Sequence, residues 1–308
     1  MSRITHDLCD LMGVPHRYRS RVGRPHEQRS FARLPAPANP GGPASTASES
    51  ARAKCDMVRL RFEPFWLCQW RDVVFIHLEA DPDLLQKAVP FELDLFECRA
   101  FVSLVAFTLV DMRPRLGGRL IRWICRPFGT HRFLNVRTYV KCGDARGIHF
   151  LAEYLDAPWL NHLAGPRLYG LPFHVARLRY DHADAARFRG VVTAEQGQLR
   201  YEGTAEGISE GDCPTGTTRM EQPVRTSETD LRHFLLERYR AYTERNGRRG
   251  WFPVWHQPWR CRAIDAKLND SSLLRQSGRW AESARLAGAH HSWGLDEVWM
   301  GLRRDTAD

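Results

Sequence analysis

The sequence predicts an α+β, mostly β chain: a closed or sandwiched sheet with a few peripheral helices. Three observations carry this. From Met57 onward, short segments rich in β-branched and aromatic residues recur between Gly, Pro, Asn and Asp. Only one long stretch, opening at Ser227, repeats its apolar residues at helical spacing. Nothing alternates strand with helix in the way that builds a parallel sheet, and no internal repeat is visible.

Residues 1–56 differ from everything after them. Leu34 to Ser50 is dominated by Pro, Gly, Ala and Ser, which bury too little apolar area to offset their ordering entropy. The preceding part is rich in arginine (Arg17, Arg19, Arg21, Arg24, Arg29, Arg33) without a helical stripe. Residues 1–56 are therefore read as a disordered Arg/Pro-rich extension that the fold does not need, or as untranslated sequence before a start at Met57. Residues 57–303 are read as a single domain and 304–308 as a tail.

Within the domain, Asp72–Glu79 alternates as a strand. Asp81, Pro82 and Pro90 mark the cap, first turn and stop of a two-turn helix. Strands are expected at 92–96, 98–110, 133–142, 147–154, 173–181, 187–195 and 198–205, with a hairpin turn at Gly143–Gly147. Arg119–Phe128 reads as a short amphipathic helix or an irregular cover. Ser227-Glu-Thr-Asp230 opens a helix expected to run to about Arg245, with Leu231, Phe234, Leu235, Tyr239 and Tyr242 on its packing face. Aromatic strand-like pieces return after Trp251.

Composition excludes several classes. Of the formal net charge of +9, residues 1–56 hold eight Arg and one Lys against five acids, and the remainder is spread in mixed-sign order. No basic stripe or groove-reading motif is present, so no nucleic-acid partner is expected. The eight cysteines (9, 55, 68, 98, 125, 142, 213, 261) form no CxxC pair and no zinc spacing, which fits reduced thiols in a cytoplasmic setting and no metal. Phe101–Val110 is too short to cross a bilayer, and no membrane association is expected. No phosphate loop, nucleophile elbow or carboxylate pair is visible, so no cofactor is expected. Self-association is left open.

Four pieces carry candidate chemistry. In Phe133–Val140, strand periodicity puts Asn135, Arg137 and Tyr139 on one face and Leu134, Val136, Thr138 and Val140 on the other. A buried arginine needs a partner or an anionic ligand, so Arg137 either pairs with Glu153 of the hairpin strand, faces solvent, or binds a carboxylate. His174, entering a strand after Gly170 and Pro172, is either a packed core residue or a proton shuttle. His256, between Trp255 and Trp259, reads as core, and His77 between Phe75 and Glu79 as structural.

Arg71 to Pro90 resembles the opening strand and helix of acetoacetate decarboxylase, with an arginine, a strand, a D-x-D-x-L helix and a Val-Pro stop. Taken with Phe133–Val140, Tyr169-Gly-Leu-Pro-Phe-His174, Leu236-Glu-Arg-Tyr239 and His256-Gln-Pro-Trp259, the chain is more similar to the bacterial YqjF-like family, a distant relative of that enzyme. The resemblance spans nearly all of 57–303. It implies an acetoacetate-decarboxylase-like closed β-barrel or sandwich around a small-molecule pocket, and it matches Arg71 to an arginine that holds a substrate carboxylate. In acetoacetate decarboxylases the turn at Leu171–His174 reads Tyr-Pro-Lys-Lys, and its first lysine forms the Schiff base. Phe173 cannot, and the four lysines, at 54, 87, 141 and 267, all lie outside this turn.

The expectation is a barrel pocket that binds a small organic acid or similar metabolite through Arg71 and Arg137, oriented by Asn135 and Tyr139, with His174 moving a proton. A lyase or isomerase without imine chemistry fits, as does a binder. The alternative is a non-catalytic scaffold that uses the same fold for protein contacts.

Overall fold

The architecture is a twisted ring of strands with a second sheet laid on its outside. It is seen in a computed structural model that describes residues 43–156, 159–182, 187–205 and 226–306.

The main sheet contains β1 (Trp66–Ala80), β3 (Ala100–Pro114), β4 (His131–Cys142), β5 (Ala145–Leu155), β10 (Arg240–Arg245), β11 (Arg248–His256) and β14 (Arg285–Met300). β14 pairs with β1, β1 with β3, β3 with β4 and β4 with β5, all antiparallel. A short parallel contact joins β5 to β10, and β11 returns to β14, so seven strands form a ring, though not a regular barrel. The short strands β2 (Glu92–Leu93), β6 (Phe173–Val175), β12 (Arg262–Ala263) and β15 (Arg304–Asp305) extend it. The second sheet orders β13 (Asp265–Asp270), β9 (Gly197–Thr204), β8 (Arg187–Ala194) and β7 (Arg177–Asp181).

Two faces of each ring strand serve two cores, as period-2 alternation requires. Val74, Ile76, Leu104, Val136 and Tyr154 join Leu178, Phe188, Val192 and Leu199 of the second sheet. Val73, Phe75, Val105, Phe107, Phe133, Phe150 and Phe252 face the ring interior. A β-bulge sets the parity of β5: Val136 opposes Ala152, but Arg137 opposes Phe150. The extra residue, Leu151, packs in the outer core, and Ile148 and Phe150 turn inward.

Three expectations need correction. First, Pro43–Val58 is a helix (α1) rather than disordered extension, so the folded domain begins before Met57. Trp255 Nε1 donates to the Ser50 carbonyl at 3.0 Å, Ser50 Oγ donates to the His256 carbonyl at 2.7 Å, and Met57 is buried. Averaging over 1–56 hid a helix-forming half, with Ala47, Ala51, Arg52, Ala53 and Lys54, behind a Pro/Gly-rich one. Residues 1–42 lie outside the described residues. Second, the domain's pairing extends past residue 303 to Asp305, since Arg304 and Asp305 pair with Trp251 and Gly250.

Third, the long helix stops early. It spans Thr226–Leu236 (α5), and Tyr239 and Tyr242 belong to the turn and strand that follow. Asn246-Gly247 explains why, because both adopt the positive φ of a tight hairpin between β10 and β11, at 52° and 73°. The remaining helices are α2 (Pro82–Gln86), α3 (Gly118–Cys125), α4 (Trp159–Tyr169) and α6 (Trp280–Ser283). Asp81 caps α2 as expected, accepting from the Asp83 and Leu84 amides. No described helix is long and apolar enough to cross a membrane.

Candidate functional site

The ring encloses a cavity of about 280 Å3. Aromatic and aliphatic side chains form most of its wall, including Trp66, Trp70, Phe107, Phe133, Phe150 and Phe252. Against that wall stand a few polar groups: Asn135 and Arg137 from β4, Glu153 from β5, Arg238 from the turn before β10, and His256 from the end of β11. A mostly apolar concavity with a small set of converging polar groups is the usual form of a small-ligand site.

Their partners are incomplete. Asn135 Oδ1, Arg137 Nε and Glu153 Oε2 are buried and, among the described residues, have no hydrogen-bond partner. Such groups are costly to bury. Glu153 opposes Asn135 in the ladder, and among the described ion pairs none joins it to Arg137. Burial alone pushes the Glu153 carboxyl up to about 8, so it holds its proton at neutral pH. Among the described residues Arg137 makes one long hydrogen bond, from Nη2 to the Leu235 carbonyl at 3.5 Å, and its guanidinium lies 5.8 Å from the Phe75 ring centre. Burial lowers its pKa, while Tyr139 and the Glu237 charge favour the charged form, and a guanidinium stays charged.

Among the described residues Arg238 Nε and Nη2 likewise make no hydrogen bond, but the charge has a partner. Arg238 pairs with Asp94 at 3.0 Å and lies over Phe234 at 4.4 Å. Burial brings its pKa down to about 10. Glu237 ties the neighbouring strings together, because Oε1 accepts from the Trp259 amide at 2.9 Å and Oε2 from the Tyr239 hydroxyl at 2.7 Å. Tyr239 packs 4.9 Å from the His256 ring. His256 Nδ1 lies 2.7 Å from the Gln257 carbonyl, and burial lowers its pKa, which keeps the ring neutral.

The site residues expected from sequence divide accordingly. Asn135 and Arg137 reach the cavity. Tyr139 shares their face but sits behind the wall, where its hydroxyl donates to the Leu235 carbonyl at 2.8 Å and contacts Ser103. Arg71 does not reach the cavity; it is half-exposed and bridges Asp296 at 2.6 Å, one residue beyond the inward-facing Trp70. His174 is on the wrong face. The parallel pairing of β6 with β5 matches Phe173 to Glu153 and His174 to Tyr154, so Phe173 lines the cavity and His174 stacks on Tyr154. A Cβ at Gly165 would lie 2.2 Å from the Phe173 ring, so this close approach of α4 requires glycine.

Sequence reasoning assigned His256 to the core and passed over Arg238 and Trp70. Arg238 and His256 lie in the two strings, Leu236–Tyr239 and His256–Trp259, that the fold brings together. The alternation legible in the sequence begins at Asp72, whereas β1 begins at Trp66 and so carries Trp70. Among the described residues, no group of His, Cys, Asp and Glu could hold a metal ion.

Comparison with known proteins agrees with this architecture. Residues 68–296 match DUF2071, described as an uncharacterized conserved protein. The uncharacterized protein YqjF of Bacillus subtilis (strain 168) is 27% identical over 214 residues, covering 68% of this chain and 80% of that protein. An acetoacetate decarboxylase-like enzyme from Sphingomonas wittichii RW1 superposes with a TM-score of 0.50 at 14% identity, over 80% of this chain and 95% of that one. The enduracididine biosynthesis enzyme MppR, complexed with pyruvate, does so with a TM-score of 0.52 at 12% identity, over 80% of this chain and 91% of that one. At these identities the likeness shows the acetoacetate-decarboxylase-like fold.

Proposed function

Because the chain belongs to the DUF2071 family and has the acetoacetate-decarboxylase-like fold, we propose that its ring cavity binds a small organic acid without forming an imine. The observation that carries this is Arg137, a buried guanidinium that lines the cavity with Nε unpaired and, among the described residues, no ion-pair partner. A ligand carboxylate would supply the missing charge-assisted hydrogen bonds. Asn135 and the protonated Glu153 stand opposite each other on the same wall, where they would orient a neighbouring carbonyl or hydroxyl. Pyruvate, bound by an enzyme of the same fold, belongs to this ligand class.

The chemistry supported by these groups is proton transfer beside an anchored carboxylate, of lyase or isomerase type. Glu153 is the donor in this reading, in place of His174, and Arg137 and Arg238 offset negative charge developing on the ligand. Imine chemistry is disfavoured because the turn that resembles the lysine-bearing one carries Phe173, and no lysine is among the residues described around the cavity. A scaffold with a filled interior would have no such cavity, which favours the ligand reading.

A thermal-shift screen of the full chain against short keto, hydroxy and dicarboxylic acids tests this, with Arg137→Ala alongside. An acid at about a hundred times its dissociation constant adds ~2.7 kcal/mol, a few degrees for a domain of this size. The shift should vanish in Arg137→Ala. No shift with any acid would sink the proposal.

A further inference from the structure

We propose that α3 and the segments flanking it form a docking surface for an anionic lipid bilayer, with the helix lying in the plane of the interface. None of the eight residues of α3 is buried. Leu120 is 67% exposed, Trp123 72% and Ile124 47%, and Leu116 and Phe128 continue the apolar surface on either side. Contiguous apolar surface of this kind marks an interaction site. At 100° per residue, Leu120, Trp123 and Ile124 form one flank of the helix, and Arg119 and Arg122, with Arg126 just beyond, form the other. Ile121 and Cys125 point back toward the domain, where Cys125 reaches the cavity wall.

The chain segment that carries this surface is charged almost wholly with one sign. Between Asp111 and Asp144 the chain contains no acid, and Asp111 itself is held by Arg113 and Arg122. Arg115, Arg119 and Arg126 are exposed and have no carboxylate within ion-pair distance among the described residues. A short exposed helix with Trp and Leu on one flank and Arg on the other matches an interfacial helix, whose rings sit at headgroup level while the guanidiniums meet lipid phosphates. A second copy of this chain is a poorer occupant, since a two-fold contact would set these arginines against their own images. The helix is far too short to span, so the surface rests on the membrane. This inference runs against the sequence expectation of no membrane partner and does not depend on the identity of the cavity ligand.

The test is co-sedimentation of the full chain with phosphatidylcholine vesicles and with mixed phosphatidylcholine–phosphatidylglycerol vesicles, together with Leu120→Glu/Trp123→Glu and Arg119→Glu/Arg126→Glu. The native chain should pellet with the mixed vesicles only and should be released by salt. Each double variant should partition at least about ten-fold less, with an unchanged melting point. If a double variant melts early, Trp123→Ala at this exposed position carries the same comparison. Failure to pellet with mixed vesicles, or pelleting undiminished in the variants, overturns the proposal. So does a native dimer that Leu120→Glu/Trp123→Glu splits into monomers, which would assign the face to a second copy.

Discussion

Glu153 stands directly opposite Asn135 across the β4–β5 ladder, facing the cavity, and burial alone sets its protonation. The folded protein keeps this proton up to about 8, whereas an ordinary glutamate releases it near 4.5. The stability carried by the proton is therefore complete below the lower value and is lost as pH rises through the upper one. Linkage costs ~1.4 kcal/mol per pH unit across that window.

Glu153→Gln needs no proton, so its advantage over the native chain should grow with pH, to about 4 kcal/mol near pH 8 by this slope. Urea melts at several pH values check this. A difference that stays constant with pH would mean that the carboxyl is not held neutral.

Arg137 is a charge that the fold buries with one long hydrogen bond and an aromatic neighbour. A buried polar group left short of hydrogen bonds costs about 1–3 kcal/mol, so replacing it with an apolar residue of similar length should be neutral or stabilising. Arg137→Met should therefore melt no lower than the native chain without ligand, and should show no acid-induced shift. A large drop in melting point would instead make Arg137 part of the framework.

Asp94 plays the opposite role. It accepts from Arg146 Nε at 2.7 Å and forms an ion pair with Arg238 at 3.0 Å, so removing its charge strands a buried guanidinium. Asp94→Asn should cost about 3–5 kcal/mol. Arg238→Met in the same chain should recover much of that loss in a double-mutant cycle. Additive losses would show that the two groups stabilise the fold independently.

The alternation in Phe133–Val140 was legible because strand parity follows from sequence alone, and it put Asn135 and Arg137 on the correct face. The bulge at Leu151 was not legible, because Ile148–Leu155 reads as an equally plausible strand in either parity. His174 was misplaced for a related reason. Whether Phe173 or His174 faces the cavity depends on a parallel pairing with β5 between residues some twenty positions apart. The hairpin that ended α5 could have been read, since Asn246-Gly247 is a strong local turn signal that outweighs continued helical spacing of tyrosines. For Arg71 the resemblance implies a strand position but not the direction of its side chain, which bridges Asp296.

Phe173 lines the cavity and packs against Gly165, and in the proposed function no lysine of the chain forms an imine. Incubation with pyruvate or acetoacetate followed by borohydride should leave the mass of the intact chain unchanged. A reduced adduct on any of the four lysines would restore imine chemistry.

Helix α1 is expected to hold the cavity wall from outside. Its Ser50 both accepts from the Trp255 indole and donates to the carbonyl of His256, a cavity-lining residue. Lys54 lies 4.0 Å from the Trp255 ring centre and 4.5 Å from that of Trp299, which pairs opposite Trp255. A chain beginning at Met57 loses these contacts and uncovers the indoles. Two hydrogen bonds at ~1 kcal/mol each, plus the apolar area, put the cost at about 3 kcal/mol. Comparing urea melts of chains beginning at Pro43 and at Met57 measures it. The shorter chain should be less stable and should bind acids more weakly, because the strand end carrying His256 is no longer pinned. Equal stability would show that α1 covers the domain without supporting it, and equal acid affinity would detach the cavity from the helix.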